Sequence, residues 1–339
     1  MRFLNMRMRS MLLASALLLV AMAAAGCASA QGSPTAPTAL AAPAPVGNLE
    51  KTNITVDDFP SVDSAGLYIA EMDGYFADEG LNVTINQAYA SQDTVNAIED
   101  GQADISSADY VTYLDNELLD HKQLRIIAEA STLQPNQLTM LVAPGSKIVK
   151  VKELAGKKIA VAGHNDIATL LIDSLLTENG VPLKAVTIEP GYQLPAIPAL
   201  LTKHKFDAGP VPEPFVSEGE EQFGVQQIAD LDQGATQNFP IQGFAVTQAW
   251  AQQNPDTLRA FVAALTAGQQ VADTDRRAVE RAIEKFLHVP AMAAAVIALP
   301  DFPISVDPQE LQRVLSTMVQ FGFVPASDSS FRLGSMIAG

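Results

Sequence analysis

The tetrapeptide Asn82-Val-Thr-Ile85 returns as Ala185-Val-Thr-Ile188, 103 residues further along the chain. Each copy sits inside the same alternation. Around the first, residues 53–113 read as strand (53–56), helix, strand (82–85), helix, short strand (103–105), loop and helix. Around the second, residues 158–223 read as strand (159–162), helix, strand (185–188), helix, strand (207–211), loop and helix. Short runs rich in Val, Ile and Thr favour strands, whereas Ala168, Leu171, Ile172, Leu175 and Leu176 share one face at the helical period. Paired strands start 103 to 106 residues apart, and the pattern predicts two related α/β units.

Strands alternating with helices give a parallel sheet covered on its faces, and right-handed crossovers bring every strand-to-helix loop to one edge. Ligands of such sheets sit at that edge. Two facing sheets bring six loops to one cleft: 57–64, 87–93 and 106–110 from the first unit, 163–167, 189–193 and 212–215 from the second. Beyond residue 228 the pattern becomes a crossing segment, 238–246, followed by helices with the apolar stripes Leu258, Phe261, Val262, Leu265 and Leu311, Val314, Leu315, Met318, Val319. These helices have no strands of their own and are expected on the first unit. The expected architecture is therefore α/β and two-lobed, each lobe a mostly parallel sheet flanked by helices. Lobe 1 comprises 51–142 and 238–339, lobe 2 comprises 143–237, and crossings near 139–144 and 238–243 form a hinge.

The N-terminus has a different logic. Arg2, Arg7 and Arg9 precede the uncharged run 11–25, the pattern of a secretory signal. At 15 residues this run is shorter than the roughly 20 that a spanning helix needs. It ends in Ala24, Ala25 and Gly26 before Cys27, which resembles the lipobox of bacterial lipoproteins, although that family usually has leucine where Ala24 stands. The resemblance implies cleavage after residue 26 and a lipid on Cys27 that anchors the protein to the outer face of a membrane. Residues 27–50, mostly Ala, Pro, Gly, Ser and Thr, read as a flexible tether.

Cys27 is the sole cysteine, so the body can form no internal disulfide and has no thiol chemistry. Without residues 1–26, 18 basic residues face 38 acidic ones, a net charge of −20 that disfavours nucleic acid and anionic lipid as partners.

Four ordered motifs carry a family resemblance. The run Gly66-Leu-Tyr-Ile-Ala-Glu-Met-Asp-Gly-Tyr-Phe-Ala-Asp-Glu-Gly-Leu-Asn-Val83 is similar to the opening helix of substrate-binding proteins of the nitrate, sulfonate, taurine and thiamine-pyrimidine importers. Gly101-Gln-Ala-Asp104, the run 152–161, and Asp207-Ala with Glu213-Pro-Phe215 resemble further signatures of that family, and Phe321-Gly-Phe-Val324 resembles its closing helix. The resemblance spans about 53–337. It implies a two-lobed periplasmic-binding-protein fold (type II) that closes on a small molecule and delivers it to an ABC permease as a monomer, without cofactor or catalysis. The family also resembles the pyrimidine synthases of fungi, but the cysteine-rich iron-binding segment of those enzymes has no match here.

The ligand-contacting residues expected from the six loops are Asp63, Ser64, Ser91, Asp93, Ser107, Asp109, Tyr110, His164, Asn165, Tyr192, Glu213 and Phe215. Phe59 is a further candidate for stacking. Asp63, Ser64, Ser91 and Asp93 also lie where helix N-caps are wanted. The loops hold no Lys or Arg, so a neutral or cationic heterocycle such as a pyrimidine precursor fits better than an anion, with Glu213 accepting from an amine. Helix N-termini leave a sulfonate, taurine or nitrate open as the alternative, and a surface ligand sensor is a further one. Four scattered histidines show no metal-binding spacing, and no P-loop or nucleophile elbow occurs. Asp115, Glu117 and Asp120 are expected on the surface.

Overall fold

The computed structural model describes residues 48–338. The signal segment, Cys27 and the tether up to residue 47 lie outside the described residues. Among the described residues ten strands are arranged in two five-stranded sheets. The first contains β1 (Asn53–Asp58), β2 (Asn82–Gln87), β3 (Ile105–Asp109), β4 (Leu124–Thr132) and β10 (Pro240–Thr247). The second contains β5 (Leu138–Val142), β6 (Lys158–Ala160), β7 (Thr187–Glu189), β8 (Ala208–Pro212) and β9 (Gln226–Asp230).

The spatial orders are β2-β1-β3-β10-β4 and β7-β6-β8-β5-β9. In each sheet the first three strands run parallel and the fourth pairs antiparallel with both neighbours. The registers coincide as well. Val56 pairs with Ile85 and Ile105, and Ile159 pairs with Ile188 and Ala208, so every partner is displaced by 103 residues. The repeated tetrapeptide is thus in register in three dimensions.

The reversed strand of each sheet comes from the far side of a crossing. Because β5 belongs to the second sheet, the first crossing lies at 133–137 and not at 139–144. Leu138–Val142 is an apolar strand buried along its whole length, and sequence pattern alone does not say which sheet buries it. Leu133 N donates to Phe239 O across the two crossings (2.8 Å). Arg313 braces the second by donating to Gln237 O (2.8 Å) and to Asn238 O while lying over the Phe239 ring.

The helices are α1 (Ala65–Met72), α2 (Tyr75–Asp78), α3 (Ser91–Glu99), α4 (Tyr110–Leu118), α5 (Ile167–Glu178), α6 (Ile197–Thr202), α7 (Phe215–Phe223), α8 (Gln248–Gln253), α9 (Pro255–Thr274), α10 (Arg276–Phe286), α11 (Ala291–Ala294) and α12 (Pro308–Phe321). α9 and α10 cover the first sheet through α1, where a Cβ on Gly268 would fall 2.2 Å from Gly66 O. α12 departs from the expectation that it rests on the first lobe alone. It packs on both α4 and α5, and its Leu311, Val314 and Leu315 join one core with Val111 and Leu171. The Gly101-Gln-Ala-Asp104 motif has a structural use: Asp104 accepts from Thr55 N (2.9 Å), Lys51 Nζ (2.5 Å) and Trp250 Nε1 (2.8 Å). Among the described residues no helix is long and apolar enough to cross a membrane.

Candidate functional site

The strand-to-helix loops of both sheets meet around a cavity of about 280 Å³. Phe59, Leu138, Ile167, Leu194, Pro210, Pro212 and Ile241 give it apolar area, and Asp63, Ser91, Asp109, Asp115, Asp166 and Gln242 are among its polar residues. Of the expected ligand residues, Asp63, Ser91, Asp109, His164 and Asn165 line it, with His164 and Asn165 exposed.

Two aspartates hold the helices that flank it. Asp109 caps α4, its two carboxylate oxygens accepting from Thr112 N (2.9 Å) and Thr112 Oγ1 (2.8 Å). Asp166 caps α5, accepting from Thr169 N (2.9 Å) and Gly163 N (2.8 Å). Asp63 accepts from Ser61 Oγ (2.6 Å) and Gln137 Nε2 (3.0 Å). Burial raises all three above the usual carboxylate range, Asp166 to about 6, and the neighbouring charge of Asp109 adds to the effect on Asp166.

Behind the cavity wall lies a buried polar cluster. Asp58 accepts from Ser64 Oγ (2.5 Å) and Tyr68 Oη (2.5 Å), and Gln242 Nε2 donates to Ser64 Oγ (2.9 Å) and Ser107 Oγ (2.8 Å). Ser64 and Ser107 are therefore partners of the wall and do not line the cavity. They fix Gln242, whose amide occupies the middle of β10.

The remaining expected residues stand elsewhere. Asp93 is exposed on α3. Tyr110 is fully buried, its ring against Gly243 and its hydroxyl without a partner. Glu213 is buried and accepts from Ser217 N (3.0 Å), Ser217 Oγ (2.7 Å) and Ala298 N (3.4 Å), so its carboxylate holds α7 and the C-terminal segment. Tyr192 packs edge-on against Phe206 beneath Lys205. Phe215 lies outside the cavity, in an adjoining chamber.

Sequence reasoning missed Gln242 and Asp115. Gln242 is the polar residue in the buried strand Pro240-Ile-Gln-Gly-Phe-Ala-Val246, and that break in an apolar run was the available signal. Asp115, expected on the surface, lies one turn beyond Thr112 on α4 and lines the cavity, with Oδ1 buried and unpartnered. Among the described residues no group of three or more His, Cys, Asp or Glu is placed to hold a metal ion.

Two mixed sheets, two crossings and a cleft between them define a two-lobed α/β chain of the periplasmic-binding-protein fold. The chain belongs to the NMT1/THI5-like family, whose model matches residues 61–275. No curated protein matches it. Among solved structures it is similar to the Candida albicans CA3427 product, described as having the generic periplasmic binding protein fold (TM-score 0.72, 15% identity, 85% of this chain and 96% of that one). It is also similar to the periplasmic aliphatic sulphonate binding protein of Escherichia coli (TM-score 0.67, 18% identity, 83% and 97%). The periplasmic nitrate-binding protein of Synechocystis PCC 6803 is a third likeness (TM-score 0.71, 18% identity, 86% and 87%).

Proposed function

We propose that this protein is the solute-binding component of an ABC importer, tethered outside the membrane by a lipid on Cys27, and that its solute is a small neutral or cationic heterocycle such as a pyrimidine precursor. Family membership, the two-lobed fold and the roles named for its structural neighbours support the transport reading. On this reading the protein performs no chemical step, and its closed lobes are what the permease recognises.

One observation carries the ligand class: Asp63, Asp109, Asp115 and Asp166 line the cavity, and among the described residues no Lys or Arg does. Two of the helix ends at the cavity are occupied by capping carboxylates, while the end of α3 (Ala90, Ser91, Gln92) has no side-chain cap. At α4 and α5 the Thr112 and Thr169 N–H groups are given to the capping carboxylates, which also place negative charge where a sulfonate would sit. An amine on the solute would donate to Asp109 or Asp115, Gln242 would orient the ring, and Phe59 would cover its face.

Thermal melting with a panel of aminopyrimidines, taurine, alkanesulfonates and nitrate tests this. A cognate aminopyrimidine at 100 times its Kd adds about 2.7 kcal/mol of stability. Stabilisation by a sulfonate or nitrate alone overturns the ligand class, and an unmoved melting temperature across the panel overturns the pyrimidine reading. Cys27→Ser should move the protein from the membrane fraction to the soluble exported fraction; retention in the membrane would exclude the lipid anchor.

A further inference from the structure

Phe59 and Leu194 are walls of two spaces. Besides the acidic cavity they border an adjoining chamber of about 470 Å³. Its walls are drawn from both lobes, and its apolar members are Tyr89 from the loop after β2, Pro195 from the segment after β7, Phe215 from α7, and Phe286 and Leu287 from the end of α10. Its polar members are Gln87, Gln193, Glu218 and His288. Tyr89 is 71% exposed, a large aromatic surface left open beside the Phe59 boundary.

At about 280 Å³ the cavity falls just below the range of roughly 300–1,000 Å³ usual for small-molecule sites, and the adjoining chamber brings the combined space within it. We propose that the chamber is a second subsite of the same solute, resting on the function proposed above. The solute then carries a polar, amine-bearing head, held in the acidic cavity, and an apolar aryl or alkyl tail that passes between Phe59 and Leu194 to lie against Tyr89 and Phe215.

The test compares 4-aminopyrimidine with 4-(benzylamino)pyrimidine by calorimetry on the intact protein and on a Tyr89→Ala, Leu287→Ala variant. The benzyl compound should bind about tenfold more tightly, equivalent to about 1.4 kcal/mol. The variant should lose most of that gain while its affinity for 4-aminopyrimidine stays unchanged; its melting temperature falls because Leu287 packs partly against the first-lobe core. Equal affinities for the two compounds, or a gain that survives in the variant, overturn the second subsite and leave the cavity reading standing. Binding of neither compound counts against both, because the tail then has no anchored head. A Tyr89→Ala single variant, altered only at an exposed side chain, supports the proposal if it loses part of the gain and opposes it if it loses none.

Discussion

The two lobes share a register but not a chemistry. In the first, Asp58, Ser64, Tyr68, Ser107 and Gln242 form one buried hydrogen-bonded cluster. The positions 103 residues on from Asp58, Ser64, Tyr68 and Ser107 are Val161, Ile167, Leu171 and Pro210. Leu138, which pairs with Pro212 as Gln242 pairs with Asp109, stands in the place of Gln242. Every member of this cluster has an apolar counterpart in the second lobe. Strand pairing and the inward alternation of apolar residues are therefore sufficient to build either lobe, and the polarity of the layer behind the cleft can vary. At three equivalent places in the cavity lining the first lobe supplies Ser91, Asp109 and Gln242 where the second supplies Leu194, Pro212 and Leu138. Asp63 and Asp166, by contrast, both line the cavity and keep their identity across the repeat.

The largest expected effect comes from breaking that asymmetry on its polar side. Asp58→Ala leaves Tyr68 Oη and Ser64 Oγ buried without their acceptor and should lower the unfolding free energy by about 3–5 kcal/mol. Val161→Ala, at the equivalent place, removes two methyl groups and should cost about 2 kcal/mol. Converting the first lobe toward the second with Asp58→Val, Ser64→Ala, Tyr68→Phe and Gln242→Leu should cost less than Asp58→Ala alone, because fewer polar groups are orphaned. Urea denaturation of the three variants ranks them. A quadruple variant less stable than Asp58→Ala would show that the cluster contributes more than its own mutual satisfaction.

The shared aspartate pair gives the next effect, through pH. Burial raises Asp166 to about 6 and Glu129 of β4 to about 7, so the folded protein holds these protons more tightly than the unfolded chain. The sign is negative: stability falls as pH rises through these values and is recovered as pH drops below them toward the unfolded carboxylate range. Between pH 8 and pH 5 the Asp166 contribution should be about 1.4 kcal/mol, visible as a higher melting temperature at pH 5. A cationic solute prefers the ionised carboxylate, so its affinity should move the opposite way and weaken below pH 6. Parallel trends in stability and affinity would remove Asp166 from contact with a cation.

The sequence showed the repeat clearly because strand pairing preserves a constant displacement, and Val56 and Ile159 keep it to the residue. It did not show that β5 belongs to the second sheet, since an apolar run such as Leu138-Thr-Met-Leu-Val142 fits any buried strand. At the cavity, loop position pointed to five residues that line it, Asp63, Ser91, Asp109, His164 and Asn165. It could not identify Asp115, which reaches the cavity from a helix face, or Gln242, which reaches it from the middle of a strand. Loop position also does not say which of two successive residues faces the cleft. Asp109 and Pro212 line the cavity, while the next residues, Tyr110 and Glu213, are turned away from it, as alternation along an extended backbone requires.

Tyr110 and Glu213 are themselves equivalent by the 103-residue displacement, and both are buried away from the cavity. Their roles nevertheless differ, and substitution should separate them. Glu213 accepts hydrogen bonds from Ser217 and Ala298, so Glu213→Gln should cost about 1–2 kcal/mol of stability while leaving solute affinity within twofold. A tenfold loss of affinity at unchanged stability would return Glu213 to the pocket. Tyr110 Oη has no partner, and burial beside the Glu129 carboxylate pushes its ionisation well above the usual phenol range, so the hydroxyl stays neutral and unsatisfied. Tyr110→Phe removes that group from a site where Gly243 already leaves no spare space, and should be neutral or stabilising by up to about 1 kcal/mol. Measured destabilisation would mean that the hydroxyl has a partner, and an accompanying loss of affinity would identify that partner as the solute.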